Sequence, residues 1–192
     1  MIRFMKSSRT KAQRNSKPWK TLSSRTLIDV GMVKLHRDRM ISKTGFRTNS
    51  LRLSMRDFSI IVPVLDNNRL VFVWNYRPAI QDWELELPAG LIDDGEAPET
   101  GARRELKEET GYSAKTVKNL GWVYTTPGIS SQRAHVFTAK GLKKGRVHRE
   151  PYEYMKVKIL PIGTAYKLLR SGGISHSSTV SALALAEKSL EG

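Results

Sequence analysis

The chain has 192 residues, enough for one ordinary domain with a real core, and it contains no cysteine. Disulfides, cysteine-ligated zinc, iron–sulfur clusters and thiol catalysis are therefore excluded. Lys and Arg outnumber Asp and Glu by 33 to 18, but residues 60–112 carry 5 basic against 11 acidic residues. An acidic central segment between two basic segments is consistent with an anionic substrate that approaches a site occupied by a metal cation. A basic surface that only aids solubility is an equal alternative.

The N-terminal third of the sequence is strongly basic, with 15 Lys and Arg against 3 Asp and Glu in residues 1–59. Residues 1–18 contain no acid and are rich in Ser, so we interpret them as an N-terminal extension, although a transit peptide shares this composition. Residues 19–59 predict two or three strands that form a β arm or a small β layer. Neither a membrane-spanning run nor a signal peptide is apparent, so we expect a cytoplasmic protein with no membrane partner.

Residues 60–192 predict a single domain of strands and helices. The segments SIIVPVL and LVFVWNYR flank the turn DNNR and predict a hairpin, and WELELP alternates like a further strand. A helix is predicted through ETGARRELKEET, with Pro98 in its first turn and Gly111 as its C-terminal cap. The strand candidates VKNLGWVYTT, RAHVFTAKGL and YMKVKILPI follow, and then two helical segments. This order favours an α+β fold in which helices lie outside a mixed sheet.

Four carboxylates, those of Glu96, Glu105, Glu108 and Glu109, lie close together in the acidic part of the sequence. On a helix, the last three stand at i, i+3 and i+4 and project from one face. Like charges packed together raise the free energy of a fold unless something offsets them, and Mg²⁺ takes carboxylate oxygens as ligands. Arg104 can hold the set through charge-assisted hydrogen bonds. A solvated acidic helix face, balanced by basic residues of the same helix, is the alternative.

The spacing of Gly90, five residues, Glu96, seven residues and RELKEETGY resembles the signature of the Nudix hydrolase family. That signature is G-x5-E-x7-R-E-U-x-E-E-x-G-U, where U is a bulky apolar residue. Leu106 fills the first U, and Tyr112 takes the last, where an aliphatic residue is commoner. The resemblance extends over most of the chain from about Trp19. It implies an α/β/α sandwich and Mg²⁺-dependent hydrolysis of a nucleoside diphosphate linked to another moiety, with Mn²⁺ as a substitute cation.

The flanking segments resemble one subgroup, the ADP-ribose or ADP-sugar pyrophosphatases. These segments are YRPAI, ELPAGLIDDGE and TPGISSQRAHVFTAKGL, and Pro127 matches a proline that the subgroup carries about fifteen residues beyond the signature. The segment WKTLSSRTLIDVG resembles the subgroup's opening strands, which build a homodimer. Trp19 matches an aromatic residue that stacks on adenine, and the alternative for Trp19 is an exposed or core-capping side chain.

The resemblance also implies a ligand set for the metal. Glu105 and Glu109 would bind Mg²⁺, with Glu108 close behind and the carbonyl group of Ala89 as a further ligand. Glu96 would support the loop or a second ion. Arg104 would belong to the same catalytic set.

On the substrate side, Arg77 of YRP would hold the pyrophosphate through a charge-assisted contact. Glu86, Pro127 and Gln132 complete the predicted substrate-binding residues. A structural ion pair of Arg77 with Glu84 or Glu86 is the alternative.

The general base is the point at which the sequence departs from the subgroup. An acidic residue is usual in the loop after the proline, but this chain has Gln132, which cannot act as a base. The loop before YMKVKI often supplies the base, and here it contains Glu150 and Glu153. Glu153 fits the register better, and Glu150 is the reserve.

Three functions compete on this sequence. The leading hypothesis is hydrolysis of ADP-ribose, or a related ADP-sugar, to AMP and a sugar phosphate by a homodimeric enzyme. The second keeps the reaction and changes the substrate to another nucleoside diphosphate sugar such as GDP-mannose. The third is an RNA-binding or RNA-end-processing protein, suggested by the basic first third, although a complete set of glutamates argues against a binding module and nucleic acid is not the expected partner.

Overall fold

The computed structural model describes residues 17–147 and 154–190 of the chain. The chain divides into two compact units, residues 1–55 and residues 56–192, and each has its own β-sheet. The sequence placed this division after residue 59. Within the described residues, none of the helices has the length and apolar character that crossing a membrane requires.

The first unit contains an antiparallel sheet of three strands in the order β1-β2-β3. The strands are β1 (Trp19–Asp29), β2 (Val33–Ser42) and β3 (Arg47–Met55). Asp38 of β2 is buried and accepts hydrogen bonds from Arg52 on the neighbouring strand, at 2.7 Å from Nε. These bonds, followed by one from Ser24, lower the pKa of Asp38. All residues of β1 are exposed, so this sheet has little core of its own.

The second unit is built on a seven-stranded mixed sheet. Its main path runs β10-β5-β4-β9-β8, with β6 paired to β5 and β7 paired to β4. The strands are β4 (Phe58–Leu65), β5 (Arg69–Arg77), β6 (Asp82–Glu86), β7 (Ala89–Leu91), β8 (Tyr112–Tyr124), β9 (Arg133–Lys144) and β10 (Met155–Pro161). The pairing of β4 with β9 is parallel, and the other pairings are antiparallel.

Helices cover both faces of this sheet. On one face, helix α1 (Pro98–Thr110) packs Ala102 and Leu106 into a core cluster with residues such as Phe137. On the other face, helices α2 (Ile162–Ser171) and α3 (Ser177–Leu190) pack Ala165 and Leu183 against the opposite side chains of the same strands. The second unit is therefore an α/β/α sandwich, which confirms the predicted fold class.

Two residues determine where helix α1 begins and ends. Pro98 occupies the first turn, where its missing N–H group costs nothing and its fixed φ suits a helix. Gly111 closes the helix in the left-handed conformation, with φ of 76°, and its N–H donates to the carbonyl group of Lys107 at 2.9 Å. Strand β8 begins directly after it at Tyr112, earlier than the strand predicted from Val117, since its first residues pair with β9.

The hairpin of β4 and β5 is paired only next to its turn, through Val64 with Leu70 and Leu65 with Arg69. Beyond this point the two strands separate, and the chain from residues 82–91 enters the gap. There β6 pairs with β5, and β7 pairs with β4. This insertion brings the backbone at Ala89 beside α1.

Candidate active site

Glu105 and Glu109 stand one helical turn apart on the side of α1 that faces β7. Both carboxylates are largely buried, with exposed fractions of 9% and 5%. The N–H group of Ala89 donates to Oε2 of Glu109 at 3.2 Å. The carboxylate of Glu105 lies against Gly90, in the space that a β-carbon at that position would occupy. The structure thus brings Ala89, Glu105 and Glu109 together, and their role as metal ligands stays a prediction.

Arg104 connects three of the predicted carboxylates. Its Nε and one terminal nitrogen donate to Glu96 at 3.1 and 3.0 Å. Its other terminal nitrogen donates to Glu105 at 2.6 Å and to Glu108 at 3.2 Å. The hydrogen bonds from Arg104 lower the pKa of Glu96, and those to Glu96 raise the pKa of Arg104.

The loop that leads into α1 is fixed by the same guanidinium. Arg104 donates to the carbonyl group of Leu91 at 2.9 Å, and Glu96 accepts the N–H of Asp93 at 3.0 Å. Arg56 forms an ion pair with Asp93 at 3.3 Å. Glu96 is therefore a loop-supporting residue in this structure. Asp93 and Arg56 carry no signal of this contact in the sequence, because they are far apart along the chain.

The donor set fits a hard divalent cation by its chemistry. Glu96, Glu105, Glu108 and Glu109 supply oxygen donors of the type that Mg²⁺ prefers, and Arg104 forms ion pairs with the first three of them. In residues 17–147 and 154–190, no group of three His, Asp or Glu side chains stands close enough to hold a metal ion. The carboxylates would have to exchange contacts with Arg104 for contacts with the cation.

Arg77 and Glu86 form a bidentate ion pair on β5 and β6. Nε of Arg77 donates to Oε1 of Glu86 at 2.7 Å, and a terminal nitrogen donates to Oε2 at 2.5 Å. Glu86 is 1% exposed, whereas nearly half of the Arg77 side chain is exposed. Arg77 thus pairs with Glu86, one of the two acidic partners that the sequence offered, and Glu84 accepts a hydrogen bond from Ser175.

The loop between β8 and β9 contains Pro127, which is exposed, and Gln132, which is buried. The amide of Gln132 donates to the carbonyl group of Arg56 at 2.7 Å and accepts from Thr125 at 3.1 Å. Gln132 therefore holds the loop to the start of β4. A contact of Gln132 or Pro127 with substrate stays a prediction.

Asp57 forms a second polar cluster that the sequence did not indicate. Its carboxylate accepts hydrogen bonds from the N–H and side chain of Arg133, both at 2.8 Å, and lies 3.3 Å from Nε2 of His135. Burial alone would raise the pKa of Asp57, but the bonds from Arg133 outweigh burial and lower it. Its carbonyl group accepts the N–H of Ile92 at 3.0 Å, so Asp57 ties β9 to the loop that enters α1.

The remaining predicted site residues are Trp19, Glu150 and Glu153. Trp19 begins β1 in the first unit, where its ring meets Phe46 edge to face at a centroid distance of 6.3 Å. Its contact with a base stays a prediction. Glu150 and Glu153 lie outside the described residues.

Comparison with known proteins identifies the family. The profile of the NUDIX domain matches residues 55–178. The ADP-sugar pyrophosphatase of Mus musculus is 34% identical over 192 residues, which cover 90% of this chain and 88% of that protein. The ADP-ribose pyrophosphatase of Mycobacterium tuberculosis is 33% identical over 166 residues, covering 84% and 80%.

The fold has a close counterpart among solved structures. The crystal structure of an ADP compounds hydrolase superposes with a TM-score of 0.83 at 25% identity, covering 91% of this chain and 95% of that one. The helix with its glutamates, the family profile and relatives that match over most of their length agree. The chain belongs to the NUDIX family and is a Nudix hydrolase.

Proposed function

We propose that the protein hydrolyses the pyrophosphate bond of ADP-ribose or a related ADP-sugar, in the presence of Mg²⁺ or Mn²⁺, to AMP and a sugar phosphate. The observation that carries this proposal is the pair of buried carboxylates, Glu105 and Glu109, held on one side of α1 against the Ala89–Gly90 backbone. Burying two carboxylates one helical turn apart is costly unless positive charge accompanies them, and Mg²⁺ would add to the charge that Arg104 already brings to Glu105. The names of the relatives supply the class of substrate.

The metal would be held by Glu105 and Glu109, with Glu108, Glu96 and the carbonyl group of Ala89 as further ligands. When bound, it would neutralise the pyrophosphate and make an attacking water more acidic. In this structure Arg104 makes four charge-assisted hydrogen bonds to Glu96, Glu105 and Glu108, and contacts with the cation would replace those to the carboxylates that bind it.

Arg77 would bind the pyrophosphate with its guanidinium. Glu86 already fixes the plane of that guanidinium through two short hydrogen bonds, so little rotamer entropy remains to be lost when the anion binds. Glu153 would remove the proton from the attacking water, with Glu150 as the reserve. Comparing Glu153→Gln with Glu150→Gln tests this role, because only the substitution of the base should abolish turnover while substrate still binds.

The active form would be a homodimer assembled through the first unit. Its strand β1 is exposed along its whole length and carries apolar side chains, including Leu22, Leu27 and Ile28, that are between 43% and 54% exposed. Exposed apolar side chains on one strand are typical of an association surface. Light scattering on the purified protein gives the mass, and a monomer at all concentrations would contradict the dimer.

A substrate panel tests the activity itself. The purified full chain is assayed with ADP-ribose, ADP-glucose and GDP-mannose in Mg²⁺, in Mn²⁺ and in EDTA, and released AMP or GMP is measured. We expect AMP from the ADP-sugars and loss of the signal in EDTA. The variant Glu109→Gln, prepared in parallel, controls for a contaminating hydrolase. GMP release with no AMP release would transfer the proposal to GDP-mannose, and no release from any substrate would overturn it.

A further inference from the structure

Ser175, which precedes α3, and Thr179, in the first turn of α3, form hydrogen bonds that hold the end of strand β6 in place. The hydroxyl group of Ser175 donates to the carboxylate of Glu84, at 2.7 Å from Oε1 and 2.6 Å from Oε2. The N–H group of Leu87 donates to the hydroxyl oxygen of Thr179 at 3.0 Å. Thr179 and Leu87 are both fully buried. Strand β6 is therefore fixed at its exposed side by Ser175 and at its buried end by Thr179.

His176 orients the hydroxyl group of Thr179. Its Nδ1 lies 2.9 Å from the Thr179 oxygen, which already accepts the N–H of Leu87. A hydroxyl group has one proton and two lone pairs, so that of Thr179 can donate to Nδ1 or accept a proton from it while also accepting from Leu87. In the neutral imidazole, the tautomer with its proton on Nε2 makes Nδ1 the acceptor. Burial lowers the pKa of His176, which favours the same neutral form.

Glu86 connects the end of β6, held by Thr179, to Arg77. Glu86 precedes Leu87 directly, so the bond from Leu87 to Thr179 fixes the backbone at the point where the Glu86 side chain departs. The Glu86 carboxylate then receives both hydrogen bonds that define the plane of the Arg77 guanidinium. A shift of the β6 end would move Glu86 and, with it, the guanidinium.

We propose that Thr179, oriented by His176, is a positioning residue for Arg77, because it anchors the strand end from which Glu86 holds the guanidinium. The inference rests on the proposed function, in which Arg77 binds the pyrophosphate. Thr179 contacts no substrate and acts only through Leu87, Glu86 and Arg77. Its removal should therefore weaken substrate binding more than it slows the chemical step.

The test compares Thr179→Val, which keeps the shape and removes the hydroxyl group, with Thr179→Ser, which keeps the hydroxyl group. Steady-state kinetics with ADP-ribose should show KM raised about tenfold and kcat changed less than about threefold in Thr179→Val, whereas Thr179→Ser should resemble the wild type. Thr138→Val makes the same chemical change at another buried threonine, on β9, and should leave KM unchanged. Melting curves fix an assay temperature at which each variant is folded.

Introducing Thr179→Val into an Arg77→Ala protein shows whether Thr179 acts by positioning Arg77 or by a general effect on the structure. If Thr179 acts through Arg77, Thr179→Val should raise KM by less than about twofold once Arg77 is absent, since the coupled effect has nothing left to act on. An equal rise of KM in both backgrounds would overturn the inference, and so would an unchanged KM in Thr179→Val. An Arg77→Ala variant with wild-type KM would instead refute the role of Arg77 in the proposed function, and the inference with it.

His176 offers a second arm of the experiment. In His176→Asn, the side-chain oxygen can replace Nδ1 as the acceptor for the Thr179 hydroxyl group, whereas His176→Leu provides no acceptor. We expect His176→Asn to keep KM within about twofold of the wild type and His176→Leu to follow Thr179→Val. A normal KM in His176→Leu would show that Thr179 needs no help from the imidazole.

Discussion

The carboxylate of Glu105 occupies the volume next to Gly90 into which any β-carbon at position 90 would project. The substitution Gly90→Ala must therefore displace the Glu105 side chain or the β7 backbone. We expect kcat/KM to fall about a hundredfold, because a displacement of about 1 Å at a catalytic group can have that effect. Gly163→Ala is the matched control, since its β-carbon would meet open space. Activity of Gly90→Ala close to that of the wild type would show that the observed position of Glu105 is not the active one.

Glu109→Gln tests the predicted metal ligand without removing bulk. The glutamine oxygen can still accept the N–H of Ala89, so the fold should persist, and the free energy of unfolding without metal should stay equal or rise as one of several like charges disappears. Turnover should fall by about a thousandfold or more. The exposed Glu99, paired with Arg103 on the same helix, supplies the control Glu99→Gln, which should retain activity. Activity of Glu109→Gln within about tenfold of the wild type would refute the metal assignment.

The ion pair of Glu96 with Arg104 predicts a pH dependence of stability. Because the folded-state pKa of Glu96 lies below its ordinary value of 4.5, its contribution is fully present above that pH and is lost as the pH falls through the folded-state pKa. Denaturant unfolding of the wild type and Glu96→Gln, followed from pH 6 to about pH 2, should therefore give curves that approach one another on acidification below 4.5. Subtracting the curves isolates Glu96 from Asp38 and Asp57, whose pKa values are also lowered. A constant difference across this range would contradict the prediction.

Trp19 should matter for binding and not for turnover. If its ring stacks on the base of the nucleotide, Trp19→Ala should raise KM by about tenfold to a hundredfold, as expected from about 1–3 kcal/mol of stacking. Trp19→Phe keeps a ring and should recover most of the loss. The edge-to-face contact with Phe46 provides the competing explanation, so light scattering and melting curves accompany the kinetics. An unchanged KM would show that the side chain is not in the site, and an unfolded or monomeric Trp19→Ala protein would show that Trp19 is a packing residue.

Local patterns in the sequence predicted the features that depend on local geometry. The helical spacing of Glu105 and Glu109, the proline at the start of α1 and the glycine at its end are set by residues within a few positions of one another. Each corresponds to the structure. The ordering of strands and helices also predicted the three-layer arrangement, because each element must bury one face.

Contacts between segments that are far apart in the sequence could not be predicted from the sequence. Substrate binding by Gln132 stays a prediction, and no local pattern indicates that its amide donates to the carbonyl group of Arg56, 76 positions away. The bond between Leu87 and Thr179 spans 92 positions and joins a backbone group to a common side chain, so no motif marks it. The separation of β4 from β5 beyond Leu65 could not be predicted either, because a buried apolar run has the same sequence pattern whichever strand it pairs with.

The parallel pairing of β4 with β9 influences how the protein is made. The strands β1, β2 and β3 pair in the order in which they are synthesised, so their pairing requires no later segment of the chain. In contrast, β4 must wait for β9, and β5 must wait for β10 at Met155–Pro161, before the central sheet closes. Such late, distant pairings slow folding and leave unpaired strand edges exposed during synthesis. A nascent chain that stops before Pro161 therefore presents the edge of β5, and it is the species that a chaperone would have to protect.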